Sequence, residues 1–515
     1  MSKSIAQSAL IIMIMNLLSR LLGFGRETVI ARQYGATYLT DAYLVAYTIP
    51  YFLQAVLGMA LVSSIVPVIT RYLVRGEEEE AWKIASITLN WTTLFMTIFT
   101  VLGMAGSGLL VRLTAPGFDQ AATDVAVFLT LIMFPSVIFM GAGQLITGIL
   151  NARKYFAVAA FAPGFSSLVI ILSVIIAGDL GIEYLAWGTL ASFLGSLLIQ
   201  LPALRRAGFK YKWLWSLHHP EVKGIFANLL PIFLGTAVNQ IYLAINRIFA
   251  SGLAEGSITA LNYAGKLMNL PMGLFALAIS TAIFPTLSEQ AVHKEQGALA
   301  QTLLKGLRMV LLITIPAAAG LMALRIPIVR LLFERGAFDA SDTAMTADAL
   351  LYFCLGMFAM AANMVITRAY YAVRDVKTPL YCGLLSIVVN IVASWGLIPF
   401  LGHSGLALAN SLASIFCCLA MLALLFRRLT DFKKATLLKT TVKSVIAALC
   451  CALAAGFVSS TLSSKLASLG TKGLLLEVVA AITAGIAVYG LVVWLSKEEE
   501  TREIVSAFRR KMRKA

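Results

Sequence analysis

The chain has 515 residues, 59% of them hydrophobic and only 13% charged, with a mean hydropathy of +0.86. A soluble globular domain is about half apolar and a quarter charged, so that class is excluded. Long apolar runs without strict alternation also exclude a transmembrane β-barrel, whose strands alternate over segments of about 10 residues.

At about 20 apolar residues per crossing, hydropathy places helices at roughly 8–33, 39–72, 83–113, 122–151, 156–178, 183–204, 223–251, 259–289, 301–333, 343–372, 378–400, 404–426, 440–461 and 473–496. The chain is therefore predicted to be an all-α polytopic membrane protein with about 14 transmembrane helices. The first span carries Arg20 and Arg26 and has no small-residue cleavage site, so it reads as a retained helix rather than a signal peptide.

The net charge of +16 reports topology. With Met1 cytoplasmic, Lys3, the intervals around Arg71 to Lys83, Arg153-Lys154, Arg205 to Lys223, Lys294 to Arg308, Arg368 to Lys377 and Arg427 to Lys443, and the tail from Lys497 hold 30 of the 41 basic residues. That asymmetry follows the positive-inside rule, places both termini in the cytoplasm and removes the case for nucleic acid. The basic tail and the connector bearing Trp213 and Trp215 read as solvated or interfacial segments next to membrane lipid. All six cysteines fall in apolar stretches, and the four histidines form no HExxH pair, which argues against a zinc enzyme.

A weak internal repeat divides the chain. Asp41-Ala-Tyr lies nine residues before Pro50, and Asn262-Tyr-Ala lies nine residues before Pro271. Each is followed by a small-residue-rich run ending at a second proline, Pro67 or Pro285. The repeat predicts two six-helix lobes, 1–220 and 221–430, with two additional helices and a basic tail in 431–515. Such repeats are the usual build of secondary transporters, with the substrate bound between repeats.

A charged side chain at membrane depth costs at least about 2.5 to 3.5 kcal/mol and usually faces a water-filled cavity. Three basic residues meet that description: Arg20 and Arg26 in the first span, and Lys266 in the eighth. Gly23 and Gly25 allow a bend that would turn both guanidinium groups to one side. Two readings stand. In one, the three cations line a cavity for a phosphorylated or otherwise acidic substrate. In the other, Arg20 and Arg26 pair with Glu27 and Asp41 to hold the first two spans together. Asn239, Gln240 and Asn246 of the seventh span fit either a cavity lining or interhelical hydrogen bonding.

The run Leu18-Ser19-Arg20-Leu-Leu-Gly23-Phe-Gly-Arg26-Glu27 resembles the opening of the MurJ (MviN) lipid II flippases of the MOP exporter superfamily. So do Thr40-Asp41-Ala42, Thr114-Ala-Pro-Gly-Phe118, Gly148-Ile-Leu-Asn151, Phe161-Ala-Pro163, Asn246-Arg-Ile-Phe-Ala-Ser251 and Tyr371-Ala-Val-Arg-Asp-Val-Lys-Thr-Pro379, in order over nearly the whole chain. The resemblance implies a non-enzymatic flippase of the bacterial cytoplasmic membrane. Its partner would be lipid II or a related polyprenyl-pyrophosphate glycolipid, moved to the outer leaflet by alternating access alongside cell-wall synthesis proteins. It assigns substrate binding to Arg20, Arg26, Asp41 and Lys266, and Ser19, Gln54, Asn239 and Gln240 complete the candidate set.

Departures from the family pattern also carry information. Gln54-Ala55 stands where members often have one or two arginines, and Met59 where they have an acidic residue. Some members hold sodium through carboxylates of helices 7 and 11; the corresponding positions here are Asn246 and Ser394, with Asn390 nearby. Hard cations favour charged oxygen ligands. No cofactor is implied, and coupling falls to the membrane potential or to a monovalent cation at those weaker ligands. The competing reading within the superfamily is an exporter of another polyprenyl-linked glycan or of a small molecule. A membrane enzyme lacks any clustered acid or nucleophile arrangement, and a passive scaffold would not need cations at membrane depth.

Overall fold

A computed structural model describes residues 2–216, 219–429 and 432–495; the side chains of residues 2–10, 57, 59 and 228–239 lie outside that description, as does the basic tail. The helices, in order, are α1 (Ser2–Tyr34), α2 (Tyr38–Val74), α3 (Glu78–Ala105), α4 (Ser107–Thr114), α5 (Gln120–Met133), α6 (Ser136–Ala152), α7 (Phe156–Ala177), α8 (Glu183–Leu198), α9 (Leu201–Arg206) and α10 (Pro220–Ser251). They continue as α11 (Ser257–Pro271), α12 (Leu277–Val292), α13 (Gln296–Ala323), α14 (Arg325–Phe333), α15 (Ala340–Ala372), α16 (Lys377–Leu401), α17 (His403–Arg428), α18 (Lys434–Leu466) and α19 (Gly470–Leu495). Lipid offers no partner to backbone N–H and C=O groups, so apolar segments satisfy them internally as helix.

Ten helical segments among the described residues are long and apolar enough to cross a membrane, or eleven counting α5 and α6 as one span bent by 43°. Pro135 sits at that bend, where it removes a donor. The run from Lys434 to Leu495 counts as one segment but comprises α18 and α19, which pack on each other. The 33-residue α1 and 32-residue α10 fall outside the hydropathy set. Pro50 and Pro67 leave α2 unbroken. Pro271 is different: the five residues after it, Met272–Ala276, form a π-helical turn between α11 and α12.

Among the described residues, those up to 259 with 335–338 form one compact unit, and 260–334 with 339–495 form another. In the first unit, Leu61, Ile65 and Ile69 recur every four residues on α2, and together with Leu145 and Ile149 of α6 and Ile84 of α3 they make a fully buried core. Small residues bring the backbones close, as membrane helices require. A Cβ on Gly148 would lie 2.6 Å from Ile65, and one on Gly164 of α7 would lie 2.7 Å from Ser19 Oγ of α1. The helix α10, which begins the sequence-defined second lobe, packs here against α2, α3 and α4. The connector before it is extended and pinned to α3. Lys212 N–H donates to Ser86 Oγ, Tyr211 OH to Asn90 Oδ1, Asn90 Nδ2 to the Leu214 carbonyl, and Trp91 Nε1 to the Trp215 carbonyl.

In the second unit α15 and α16 both pack on α17, and α13 packs on α18. A Cβ on Gly356 of α15 would lie 2.5 Å from the Ser411 backbone of α17, so these two helices touch directly. Trp395 and Phe400 of α16 are 79% and 85% exposed, which suits a face toward lipid.

Five turns share one geometry. Gly76, Lys154, Gly208, Lys294 and Arg374 all have positive φ. The next residue's N–H closes the helix onto a carbonyl five residues back: Glu77 to Tyr72, Tyr155 to Leu150, Phe209 to Leu204, Glu295 to Gln290 and Asp375 to Tyr370. Three of these left-handed positions carry Lys or Arg, placing a cation beside the negative end of a helix dipole.

After Arg374, Asp375 accepts from the Thr378 backbone N–H (3.0 Å) and hydroxyl (2.7 Å) and pairs with Arg428. These bonds, the Thr378 N–H foremost, hold its carboxyl down to about 2. A carboxyl depressed in the folded state stabilises fully above its ordinary value of about 4, and that stability is lost as pH falls toward 2. Asp375→Asn should lower the thermal midpoint by on the order of 2 °C at pH 7. The gap from wild type should narrow at pH 3; a gap that widens there would contradict the assignment.

Candidate substrate-binding site

A cavity of about 400 Å³ opens inside the first unit among α1, α2, α6, α7 and α8. Ser19, Arg26 and Gln54 line it, so three of the sequence-selected residues come together. Among the described residues, Arg26 is its only charged lining residue. The Arg26 guanidinium binds Glu27, with Nε 3.0 Å from Oε1 and Nη2 on the same oxygen, and Glu27 is only 4% exposed. Arg26 therefore presents a cation already paired with a buried carboxylate.

The remaining candidates lie elsewhere. α1 runs unbroken past Gly23 and Gly25, so Arg20 and Arg26, six residues apart, point about 120° from each other. Arg20 is exposed and does not line the cavity. Both glycines face α7, where a Cβ would meet Ser167 and Ile171 only at ordinary contact distance. Lys266 is half-buried on α11 in the second unit. Gln240 is half-buried on α10, and the side chain of Asn239 lies outside the described residues. Asn246 donates to the Tyr242 carbonyl of its own helix. Asn390 and Ser394 are fully buried on α16, in a different unit from Asn246. Among the described residues no three His, Cys, Asp or Glu side chains are grouped to hold a metal ion.

Asp41 pairs with neither Arg20 nor Arg26; it caps a helix. Its carboxylate accepts from the Gly256 N–H (2.9 Å), the Thr259 N–H (2.8 Å) and the Thr259 hydroxyl (2.6 Å), at the start of α11. The relation is reciprocal, because Glu255 Oε1 accepts from Tyr38 N–H at the start of α2 (2.8 Å). Gly256 has φ +80°, and a Cβ there would lie 2.1 Å from the Ala36 carbonyl oxygen, so only glycine fits this turn. Arg247 of α10 interacts electrostatically with Asp41, and its Nη1 is buried without a hydrogen-bond partner among the described residues.

Several residues of this region carry no weight in the sequence reading. Tyr43, Tyr47 and Tyr51 stack along α2, with ring centroids 6.1 and 5.6 Å apart, and Phe193 of α8 stacks on Tyr47. Their four-residue spacing is the signal that could have found them. Gln144 on α6 and Arg247 on α10 have no comparable signal, since each is a single polar residue near a helix end or in an apolar run.

A bundle of membrane-crossing helices enclosing a polar cavity with one cation defines a polytopic membrane transporter. Comparison with known proteins narrows this. The family model for the lipid II flippase MurJ matches residues 30–480. The lipid II flippase MurJ of Burkholderia cenocepacia is 32% identical over 406 residues, 76% of this chain and 78% of its own. The probable lipid II flippase MurJ of Vibrio cholerae is 33% identical over 442 residues, 83% of each chain. A solved lipid II flippase MurJ in an inward closed conformation matches with a TM-score of 0.77 at 26% identity, covering 96% of this chain and 100% of its own. An inward-facing MATE multidrug transporter of the MOP superfamily shares the fold, with a TM-score of 0.67 at 15% identity over 83% of this chain and 99% of its own. The chain belongs to the lipid II flippase MurJ family.

Proposed function

We propose that the protein translocates lipid II, the undecaprenyl-pyrophosphate-linked peptidoglycan precursor, from the cytoplasmic to the outer leaflet by alternating access. The observation that carries the reading to this chain's own residues is the lone Arg26 guanidinium inside an otherwise neutral polar cavity. The substrate pyrophosphate would displace Glu27 from that guanidinium, through the bidentate geometry Arg offers phosphate. Arg20 and Lys266 would supply further cations as the head group moves, and the polyprenyl tail would stay in lipid. The charge census supports a location in the bacterial inner membrane with both termini cytoplasmic. Neutral side chains at Asn246, Asn390 and Ser394 favour coupling to membrane potential over a bound sodium ion.

The test uses cells in which this protein is the only flippase candidate, with an added enzyme that cleaves lipid II head groups only at the outer surface. Cleavage should depend on expression of the protein. If the inserted protein gives none, the substrate is another polyprenyl-linked glycan or a small molecule.

A further inference from the structure

We propose that the cavity of the first unit is a saccharide site, in which Tyr47, Tyr51, Gln54 and Gln144 recognise a pyranose ring attached to the pyrophosphate held at Arg26. The inference rests on the translocation reading and names which part of the head group this surface takes.

The lining divides into two classes. One is internally satisfied: Ser19 Oγ donates to the Ala160 carbonyl, Ser167 Oγ to Pro163, Ser196 Oγ to Ala162, and Thr147 Oγ1 to Gln200 Oε1. The other is not. The Gln54 and Gln144 carboxamides and the Tyr47 and Tyr51 hydroxyls make no hydrogen bond with any described residue. Polar groups at membrane depth are costly unless partnered. These four give donors and acceptors of both kinds around one cavity, as a ring of hydroxyls requires.

The tyrosine ladder also has a packing explanation, and its first member obeys it. Tyr43 is 5% exposed, and its hydroxyl bonds Thr189 of α8 at 2.9 Å. Tyr47, half-buried, and Tyr51, exposed, depart from it, since neither hydroxyl bonds a described residue. Both line the cavity, and Tyr51 is 41% exposed. A pyranose has an apolar C–H face and a polar rim, which match a tyrosine ring flanked by carboxamides. A doubly charged pyrophosphate does not match the neutral surface of Tyr47, Tyr51, Gln54 and Gln144, whereas the Arg26 guanidinium beside it does. The sugar is bonded directly to the pyrophosphate, so a phosphate on Arg26 brings that ring onto the neighbouring neutral surface. The volume of about 400 Å³ lies within the usual range of small-ligand sites, roughly 300–1,000 Å³.

The test measures binding of two probes, lipid II and undecaprenyl pyrophosphate without sugar, to the full-length protein in lipid nanodiscs. Wild type should bind lipid II more tightly than the sugar-free lipid. Tyr51→Leu and Gln144→Leu should weaken lipid II binding by about tenfold each, the scale of one lost polar or ring contact, while leaving the sugar-free probe unchanged. Tyr51→Phe keeps the ring and should fall between. Arg26→Gln should weaken both probes. Equal affinity of wild type for the two probes overturns the saccharide site and leaves translocation standing, as do Leu variants that lose neither probe or both equally. Failure of wild type to bind either lipid overturns the translocation reading and the saccharide site with it.

Discussion

Arg26→Gln is expected to abolish translocation and also to lower stability, and the two effects should separate. Glu27 is 4% exposed and shares its Oε1 with two nitrogens of Arg26. Removing one partner of a buried ion pair typically costs about 3–5 kcal/mol, because the other charge is left uncompensated. Arg26→Gln should therefore unfold at a clearly lower temperature than wild type. Arg26→Gln/Glu27→Gln removes both charges together, leaving neither buried without its partner, and should recover most of that loss. Transport should not recover, because the cavity then holds no cation for the substrate pyrophosphate. Thermal unfolding in detergent reads the first effect, and cleavage of outward-facing lipid II in cells reads the second. A double variant that is stable and still transports would remove Arg26 from the substrate pathway.

Arg26 was legible in the sequence because a guanidinium among Leu and Gly residues stands out against the cost of burying it. Its direction was not. α1 distributes its polar and apolar residues around the helix, so periodicity assigns no face, and no bend at Gly23 or Gly25 joins Arg20 to Arg26. Gln54 poses the same problem on α2, whose inward side emerges only once α6, α7 and α8 are placed around it. The tyrosine ladder was visible as a spacing, yet a stripe of aromatics on a membrane helix most often means packing. What separates Tyr47 and Tyr51 from Tyr43 is an absent hydrogen bond, which no linear pattern encodes.

Asp41 shows the limit most sharply. An acidic residue at the start of a membrane helix reads as a cation partner or a substrate ligand. Its actual partners are backbone N–H groups 215 and 218 positions away, together with one threonine hydroxyl. Backbone donors carry no signature in the amino-acid sequence. The nearest clue was Gly256, whose left-handed φ and contact with Ala36 mark the turn as one that brings two backbones together.

Asp41→Ala should accordingly act on the turn between α10 and α11, where the chain passes from the first unit to the second. The change removes three charge-assisted hydrogen bonds from the N-terminus of α11 and leaves the half-buried Arg247 without its carboxylate. Loss of a single bond to a charged group costs about 1.5–3 kcal/mol. The sum is not additive, and a total of roughly 3–5 kcal/mol is expected for the three bonds together. Asp41→Asn should cost less, because one amide oxygen still accepts from Thr259, while its NH₂ faces the Gly256 donor. Pairing Asp41→Asn with Arg247→Leu should give less than the sum of the single effects, since the second change removes the charge that the first exposes. Amide hydrogen exchange locates the damage: the Gly256 and Thr259 amides should lose protection in Asp41→Ala, with α13 and α15 unchanged. Were Asp41 a substrate ligand alone, those two amides would stay protected while transport fell, and that pattern would return the residue to the binding site.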